Sequence, residues 1–262
     1  MREIRANLSA FFRSNGRTLI LPMDHGTAIP VPGLERPREL IAALNPFYDG
    51  YVVNYGLARA AEPELISKAV CLRTDVYKPA CAGHADRGSY RVYGAEDAKR
   101  LGARAVMNML YVHHPEEDRL FSECARLISD CHKVGLPVIL EALPFGIGRS
   151  ADYTPENIRF TVRAAAELGA DLVKTAFPGD KDAFAEIVRE CPVPVIVLGG
   201  AAMDNETSLF EMVRNAMDGG ASGIAIGRNV WQHHKPERIA RALHDLVHTD
   251  AEVALALSIA QS

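Results

Sequence analysis

A lysine stands inside an apolar run at Ala170-Asp-Leu-Val-Lys-Thr175, between Leu172 and Val173 on one side and Ala176 and Phe177 on the other. In an extended segment Leu172, Lys174 and Ala176 share one face. If that face is buried, a charged ammonium there is costly. Desolvation lowers a lysine pKa and so supplies the neutral amine that attacks a carbonyl to form an imine. The alternative is a lysine that reaches the rim or pairs with a carboxylate. Lys78, after a weaker apolar run, is a second and lesser candidate amine.

Other polar residues have types that suit the same chemistry. Asp24, in Asp24-His25-Gly26, is placed to take a proton from, or steer, a hydroxyl beside an imine carbon. The alternative for Asp24 is an Asx-type cap of the following turn. If the strand continues through them, His25 points away from Asp24, and Gly26 simply permits a tight turn. Gly199-Gly200 and Gly227-Arg228-Asn229 form a second pair of clusters. Glycines let backbone N–H groups approach a phosphate closely, and Arg228 adds a charge-assisted contact. Ordinary turn usage is the alternative. His113-His114 and His233-His234 are poor chelates because neighbouring side chains diverge, so no metal site is expected from them. Trp231, the only tryptophan, is expected to pack rather than bind.

These residues need a scaffold, and the chain supplies eight short, nearly continuous apolar runs. They are Thr18–Met23, Gly50–Asn54, Ala69–Arg73, Ala105–Leu110, Pro137–Glu141, Asp171–Thr175, Val193–Leu198 and Gly223–Ile226. Such runs suit strands buried on both faces of a parallel sheet. Amphipathic segments separate them. Pro155–Leu168 carries Ile158, Val162, Ala165 and Leu168 at helical spacing, opens on Thr154-Pro155 and closes at Gly169. Gly102-Ala, Gly169-Ala and Gly220-Ala each read as a helix C-cap feeding a strand.

Eight alternating units without a GxGxxG after the first strand predict a single (β/α)8 TIM barrel over residues 1–262. Function in such a barrel sits at the C-terminal ends of the strands. The polar residues there are Asp24, His25, Asn54, Tyr55, Lys78, Asn108, Tyr111, Glu141 and Lys174. Residues 77–95, rich in Gly, Asp, Arg and Tyr, read as an ordered loop overhanging that face.

Hydrophobic residues make up 48% and charged residues 24% of the 262, an ordinary globular composition. A net charge of −4 gives no electrostatic case for nucleic acid or an anionic membrane. No run is long enough to span a bilayer, and the first residues lack a signal-peptide core. The five cysteines are scattered, odd in number and without CxxC spacing, as expected of reduced thiols in a cytoplasmic protein.

Taken in order, Pro22-Met-Asp-His-Gly26, Gly169-Ala-Asp-Leu-Val-Lys-Thr175 with Gly179-Asp180, Gly199-Gly200 and Gly223-Ile-Ala-Ile-Gly-Arg-Asn-Val-Trp231 carry a family resemblance. Together they resemble the archaeal-type class I fructose-bisphosphate aldolase family. That family includes 2-amino-3,7-dideoxy-D-threo-hept-6-ulosonate synthase and autoinducer-2 phosphate thiolase. The resemblance implies a TIM barrel, Lys174 as Schiff-base lysine and Asp24 beside the reacting centre. It also implies phosphate loops at Gly199, Gly200, Gly227 and Arg228; His25, read from the sequence alone, is a further candidate for substrate binding. A homo-oligomer, often a decamer, and no metal or other cofactor are implied as well.

Two departures matter. Many members of that family carry Tyr-Pro-Arg-Gly after the fifth strand, whose tyrosine transfers protons; here the run is Leu143-Pro144-Phe145-Gly146. A lysine of some members near the Gly-Gly pair is replaced by Ala201-Ala202-Met203. Glu141 and Tyr111 are therefore the candidates for proton transfer, Glu141 first. The expected reaction is aldol cleavage, condensation or carbon–carbon transfer on a phosphorylated keto-sugar. Rival readings are a thiolase- or transaldol-type transferase, a phosphosugar-binding barrel without catalysis, and a metal-dependent aldolase.

Overall fold

The computed structural model of the chain describes residues 2–79, 83, 88–201, 203 and 205–262. Eight parallel strands close into a barrel. They are β1 (Thr18–Pro22), β2 (Gly50–Val53), β3 (Ala69–Arg73), β6 (Ala105–Val112), β7 (Val138–Pro144), β8 (Leu172–Thr175), β9 (Val195–Leu198) and β10 (Gly223–Ala225). Among the described residues two further strands, β4 (Asp75–Tyr77) and β5 (Ser89–Arg91), form a separate antiparallel ribbon. Closure comes from β1, which pairs with β2 on one side and β10 on the other, Thr18 opposite Gly223. A Cβ at Gly223 would lie 2.0 Å from the Thr18 carbonyl oxygen, so that seam requires glycine.

Each apolar run of the sequence forms a barrel strand, and two strands run further than their composition suggests. β6 continues to Val112 and β7 to Pro144, because the two pair in unbroken register from Val106–Val138 to Val112–Pro144. Tyr111 consequently lies within its strand, not after it, and Glu141 sits mid-strand rather than at the strand's end. β1 stops one residue short of Met23, and the chain turns into a 3-10 helix at His25–Thr27.

The helix Pro155–Leu168 has the predicted bounds: Thr154 Oγ1 accepts from the Asn157 N–H at 3.3 Å, and Gly169 ends it at φ 112°. Gly102 and Gly220, also at positive φ, follow their helices in the same way. Around the barrel the helices Glu117–Lys133, Lys181–Glu190, Glu206–Asp218 and Pro236–His248 turn their apolar faces inward. Among the described residues no helix is long and apolar enough to cross a membrane. Cys71, Cys124, Cys131 and Cys191 are free thiols, and Cys81 falls outside the described residues.

Inside the barrel, side chains stack in layers of period two. The floor is apolar: Ile20, Val52, Cys71, Met107, Ile139, Leu172, Ile196 and Ala225, closed beneath by Phe11. Two residues further along three of these strands, the inward positions are Arg73, Glu141 and Lys174. The fold thus lifts three charged side chains onto a dry floor, at the end where the helix-bound loops begin.

Candidate active site

Lys174 is 4% exposed. Its partner is fixed by strand register: β7 and β8 place Glu141 opposite Lys174, and Lys174 Nζ lies 2.8 Å from Glu141 Oε1. The other carboxylate oxygen is 2.6 Å from Nη1 of Arg73. That nitrogen is also 3.3 Å from Asp24 Oδ2, while Arg73 Nε is 2.7 Å from Asp75 Oδ1. Arg73 is therefore the hub of a buried network joining β3, β4, β7, β8 and the turn after β1.

The charges shape one another. Burial alone would raise the Glu141 carboxyl, yet Lys174 and Arg73 outweigh it and hold the group at about 2. For Asp75 the balance goes the other way: burial keeps its carboxyl above the usual range despite Arg73. Burial pushes the His25 imidazole down to about 4, Asp24 opposing, so it is neutral at pH 7.

Above this network lies a cavity of about 320 Å³. Lys174 and Glu141 line it, as do His25, Gly199, Gly200, Gly227 and Arg228. The residues selected from the sequence as an amine, an acid and two phosphate turns thus converge on one space. A Cβ at Gly227 would lie 2.5 Å from the Pro22 carbonyl oxygen and 2.8 Å from Trp231 Nε1, so β1 and the last turn touch through glycine there. Trp231 is buried and donates from Nε1 to Pro22 at 3.1 Å, a packing role as expected.

Several expectations change. Because β1 ends early, His25 does not point away from Asp24; its Nδ1 is 3.6 Å from Asp24 Oδ1. Asp24 makes no side-chain cap bond, its carboxylate turning to Arg73 instead. Tyr111 is buried, its hydroxyl makes no hydrogen bond, and it is not among the cavity-lining residues. Asn108 faces the helices, bonding Thr74 and Cys124, rather than the cavity. Lys78 donates to the Thr27 carbonyl at 2.8 Å on the rim. Asn54 likewise serves structure, donating to the Asp24 carbonyl, and Tyr55 stacks on Tyr93.

The histidine pairs are absorbed elsewhere. His113 stacks on Phe160, and His233 pairs with Glu206 at 3.1 Å. Among the described residues no group of three or more His, Cys, Asp or Glu side chains is arranged to hold a metal.

The segment after β3 departs most from its reading as a loop. It begins as the β4–β5 ribbon, with Tyr77 opposite Ser89, and residues 80–82 and 84–87 fall outside the described residues. Arg73, Asp75 and Tyr77, unmarked in the sequence reading, all belong to the site. Their spacing of two, continuing from Ala69 and Cys71, was the available signal. Tyr153 also lines the cavity, and its hydroxyl donates to the Gly146 carbonyl at 2.7 Å. Leu143 occupies the wall where the resemblance placed a phenol, and Phe145 packs on His113 instead.

A (β/α)8 barrel that buries a lysine against a carboxylate at its C-terminal mouth, beside two glycine turns, defines a class I aldolase, an enzyme that takes a carbonyl as an imine. The chain belongs to the DeoC/LacD aldolase family, which it matches over residues 18–233. It is 33% identical over 235 residues to 2-amino-3,7-dideoxy-D-threo-hept-6-ulosonate synthase 1 of Archaeoglobus fulgidus, covering 89% of this chain and 87% of the relative. Identity to 2-amino-4,5-dihydroxy-6-oxo-7-(phosphonooxy)heptanoate synthase of Streptomyces griseus is 33% over 236 residues, 88% of this chain and 85% of that protein. The structure also resembles an archaeal fructose-1,6-bisphosphate aldolase solved with its catalytic lysine covalently bound to the substrate's carbinolamine intermediate. That likeness has a TM-score of 0.84 at 30% identity, over 93% of this chain and 99% of that one.

Proposed function

We propose that the protein makes or breaks a carbon–carbon bond in a phosphorylated keto-sugar through an imine on Lys174. The observation that carries this reading is the Lys174 amine, buried 2.8 Å from Glu141 in a cavity that the two glycine turns also line. The amine adds to the substrate ketone, water leaves, and the protonated imine draws electrons from the adjacent bond. Gly199, Gly200 and Gly227 offer backbone N–H groups to the phosphate. Arg228, whose Nε is buried without a hydrogen-bond partner, adds its charge. Neutral His25 accepts or donates a hydrogen bond to the sugar without adding charge. Asp24 is not among the cavity-lining residues; its carboxylate faces His25 at 3.6 Å and Arg73 at 3.3 Å and orients the substrate through them.

Glu141 acquires a narrower role than that of a proton donor. A carboxyl held at about 2 has no proton to give at neutral pH. In contact with Lys174 and Arg73, it is a fixed anion that positions the amine and answers the positive charge of the iminium. Replacing Glu141 by glutamine is expected to lower kcat about 10²–10³-fold. Full turnover in the variant at pH 7 would exclude the role.

The test of the whole reading is chemical trapping. Incubation with dihydroxyacetone phosphate or a panel of ketose phosphates, then borohydride, should add the mass of one reduced ligand, and peptide mapping should place it on Lys174. Binding without any adduct would point to a phosphosugar-binding barrel without catalysis. The names of the two synthases favour a second outcome within the same chemistry, transfer of the carbon fragment to an acceptor rather than its release. Product analysis with and without acceptor aldehydes separates the two.

A further inference from the structure

An imine cycle needs a group that gives up a proton and takes one back at the same place. Beside Lys174, the titratable or hydroxyl-bearing groups lining the cavity among the described residues are His25, Tyr77, Glu141, Tyr153, Arg228 and Ser150, the last exposed to solvent. Glu141 is an ionised carboxylate clamped by two cations. His25, buried and neutral, carries a single ring proton, and Arg228 does not deprotonate. The Tyr153 hydroxyl is committed to the Gly146 carbonyl at 2.7 Å.

Tyr77 differs from all of these. It is 4% exposed and lies on β4, two residues after Asp75 and four after Arg73. Its ring centroid is 4.8 Å from the Arg73 guanidinium carbon. Arg73 touches Glu141, and Glu141 touches Lys174, so the phenol is three contacts from the amine, and both line the same cavity. Burial pushes the Tyr77 hydroxyl well above its ordinary value, Asp24 and Glu141 adding to the rise and Arg73 and Arg228 acting against it, so the resting group is a neutral O–H.

Resting on the Schiff-base reading above, we propose that Tyr77 is the proton-transfer residue of the Lys174 site. After the amine has added to the ketone, the Tyr77 hydroxyl gives its proton to the carbinolamine oxygen. The C–O bond breaks, water leaves, and the nitrogen lone pair forms the iminium. The phenolate left behind, beside the Arg73 cation, then removes a proton from the carbon next to the iminium. That C–H pair becomes the enamine double bond, the C=N pair returns to nitrogen, and Tyr77 is again a phenol. The arginine lowers the cost of the transient phenolate, which explains why a cation is stacked on this tyrosine at the end of a charged network.

The test uses the full chain, dihydroxyacetone phosphate and two readouts. One is the borohydride adduct on Lys174 after long incubation. The other is deuterium exchange into the ligand's carbon beside the carbonyl, followed by NMR in D2O. Tyr77→Phe keeps the ring on Arg73 and removes the hydroxyl; exchange should fall about 10²-fold or more while the adduct still accumulates. Exchange at the wild-type rate in a folded Tyr77→Phe protein would overturn the assignment and leave the Lys174 reading standing. A wild-type protein that forms no adduct and no exchange would overturn both. Fluorotyrosine at position 77 keeps shape and hydroxyl, so it should restore the exchange that Tyr77→Phe loses. Exchange that stays at the level of Tyr77→Phe would again exclude Tyr77.

Discussion

Lys174→Met is expected to lose the borohydride-trapped adduct completely and to lower turnover by roughly 10⁴-fold or more, the scale on which removing a covalent nucleophile acts. Methionine matches the lysine stem in length and suits the apolar floor set by Leu172 and Ile196. It also leaves Glu141 with its second cation, Arg73 at 2.6 Å, so the carboxylate is not stranded. The fold should therefore survive, and a melting curve close to wild type would show that lost activity is lost chemistry. Lys174→Arg is a sharper companion. It preserves the charge opposite Glu141 but cannot deprotonate, so it should be as inactive as methionine. Measurable turnover in either variant, with an adduct mapped to another residue, would exclude Lys174 as the imine lysine. Lys78 would then be examined next, although its amine is tied to the Thr27 carbonyl outside the barrel.

The fold was legible because its signals are local. Gly102, Gly169 and Gly220 mark where helices must stop, and each precedes a run too apolar to face water on either side. Lys174 was legible for a similar reason: one charge interrupts a strand whose neighbours specify burial. Two glycine turns at matching strand ends marked the residues proposed to hold phosphate. What stayed hidden depends on contacts across the barrel. Arg73 closes its strand, and a terminal arginine reads as a rim residue. Only the closed barrel shows it turned inward, onto Asp24, 49 residues before it, and Glu141, 68 after it. No spacing rule links such partners. The same gap explains Glu141. The sequence shows an acid at a strand end, whereas its ionised state is set by two cations that β3 and β8 bring from opposite sides. Tyr77 was obscured differently. Its segment is rich in Gly, Asp and Arg, a loop composition that hides a three-residue ribbon strand.

Arg73→Leu is expected to destabilise the protein by about 3–5 kcal/mol, the usual cost of removing one partner from a buried ionic cluster. Its side chain is fully buried and faces three carboxylates, of Asp24, Asp75 and Glu141, at 3.3, 2.7 and 2.6 Å. Leucine fills part of the volume, but Lys174 alone remains to answer three buried acids. At about 2–4 °C per kcal/mol for a chain of this size, the melting temperature should drop by roughly 6–20 °C at neutral pH. The sign of the pH dependence follows from the same groups. In the intact protein Glu141 is depressed from 4.5 to about 2, so its contribution is present above pH 4.5 and lost as pH falls towards 2. In the variant Asp75, already raised by burial, rises further, and an acid raised on folding costs stability above its unfolded pKa and recovers it as the pH falls. The gap between wild type and variant should accordingly narrow from pH 7.5 to pH 5, and Asp75→Asn added to Arg73→Leu should recover part of it at pH 7.5. Denaturant titrations at the two pH values measure both effects. Equal stability of wild type and Arg73→Leu at pH 7.5 would mean that the carboxylates find other partners, and that the arginine does not hold the acids of this site in their ionised form.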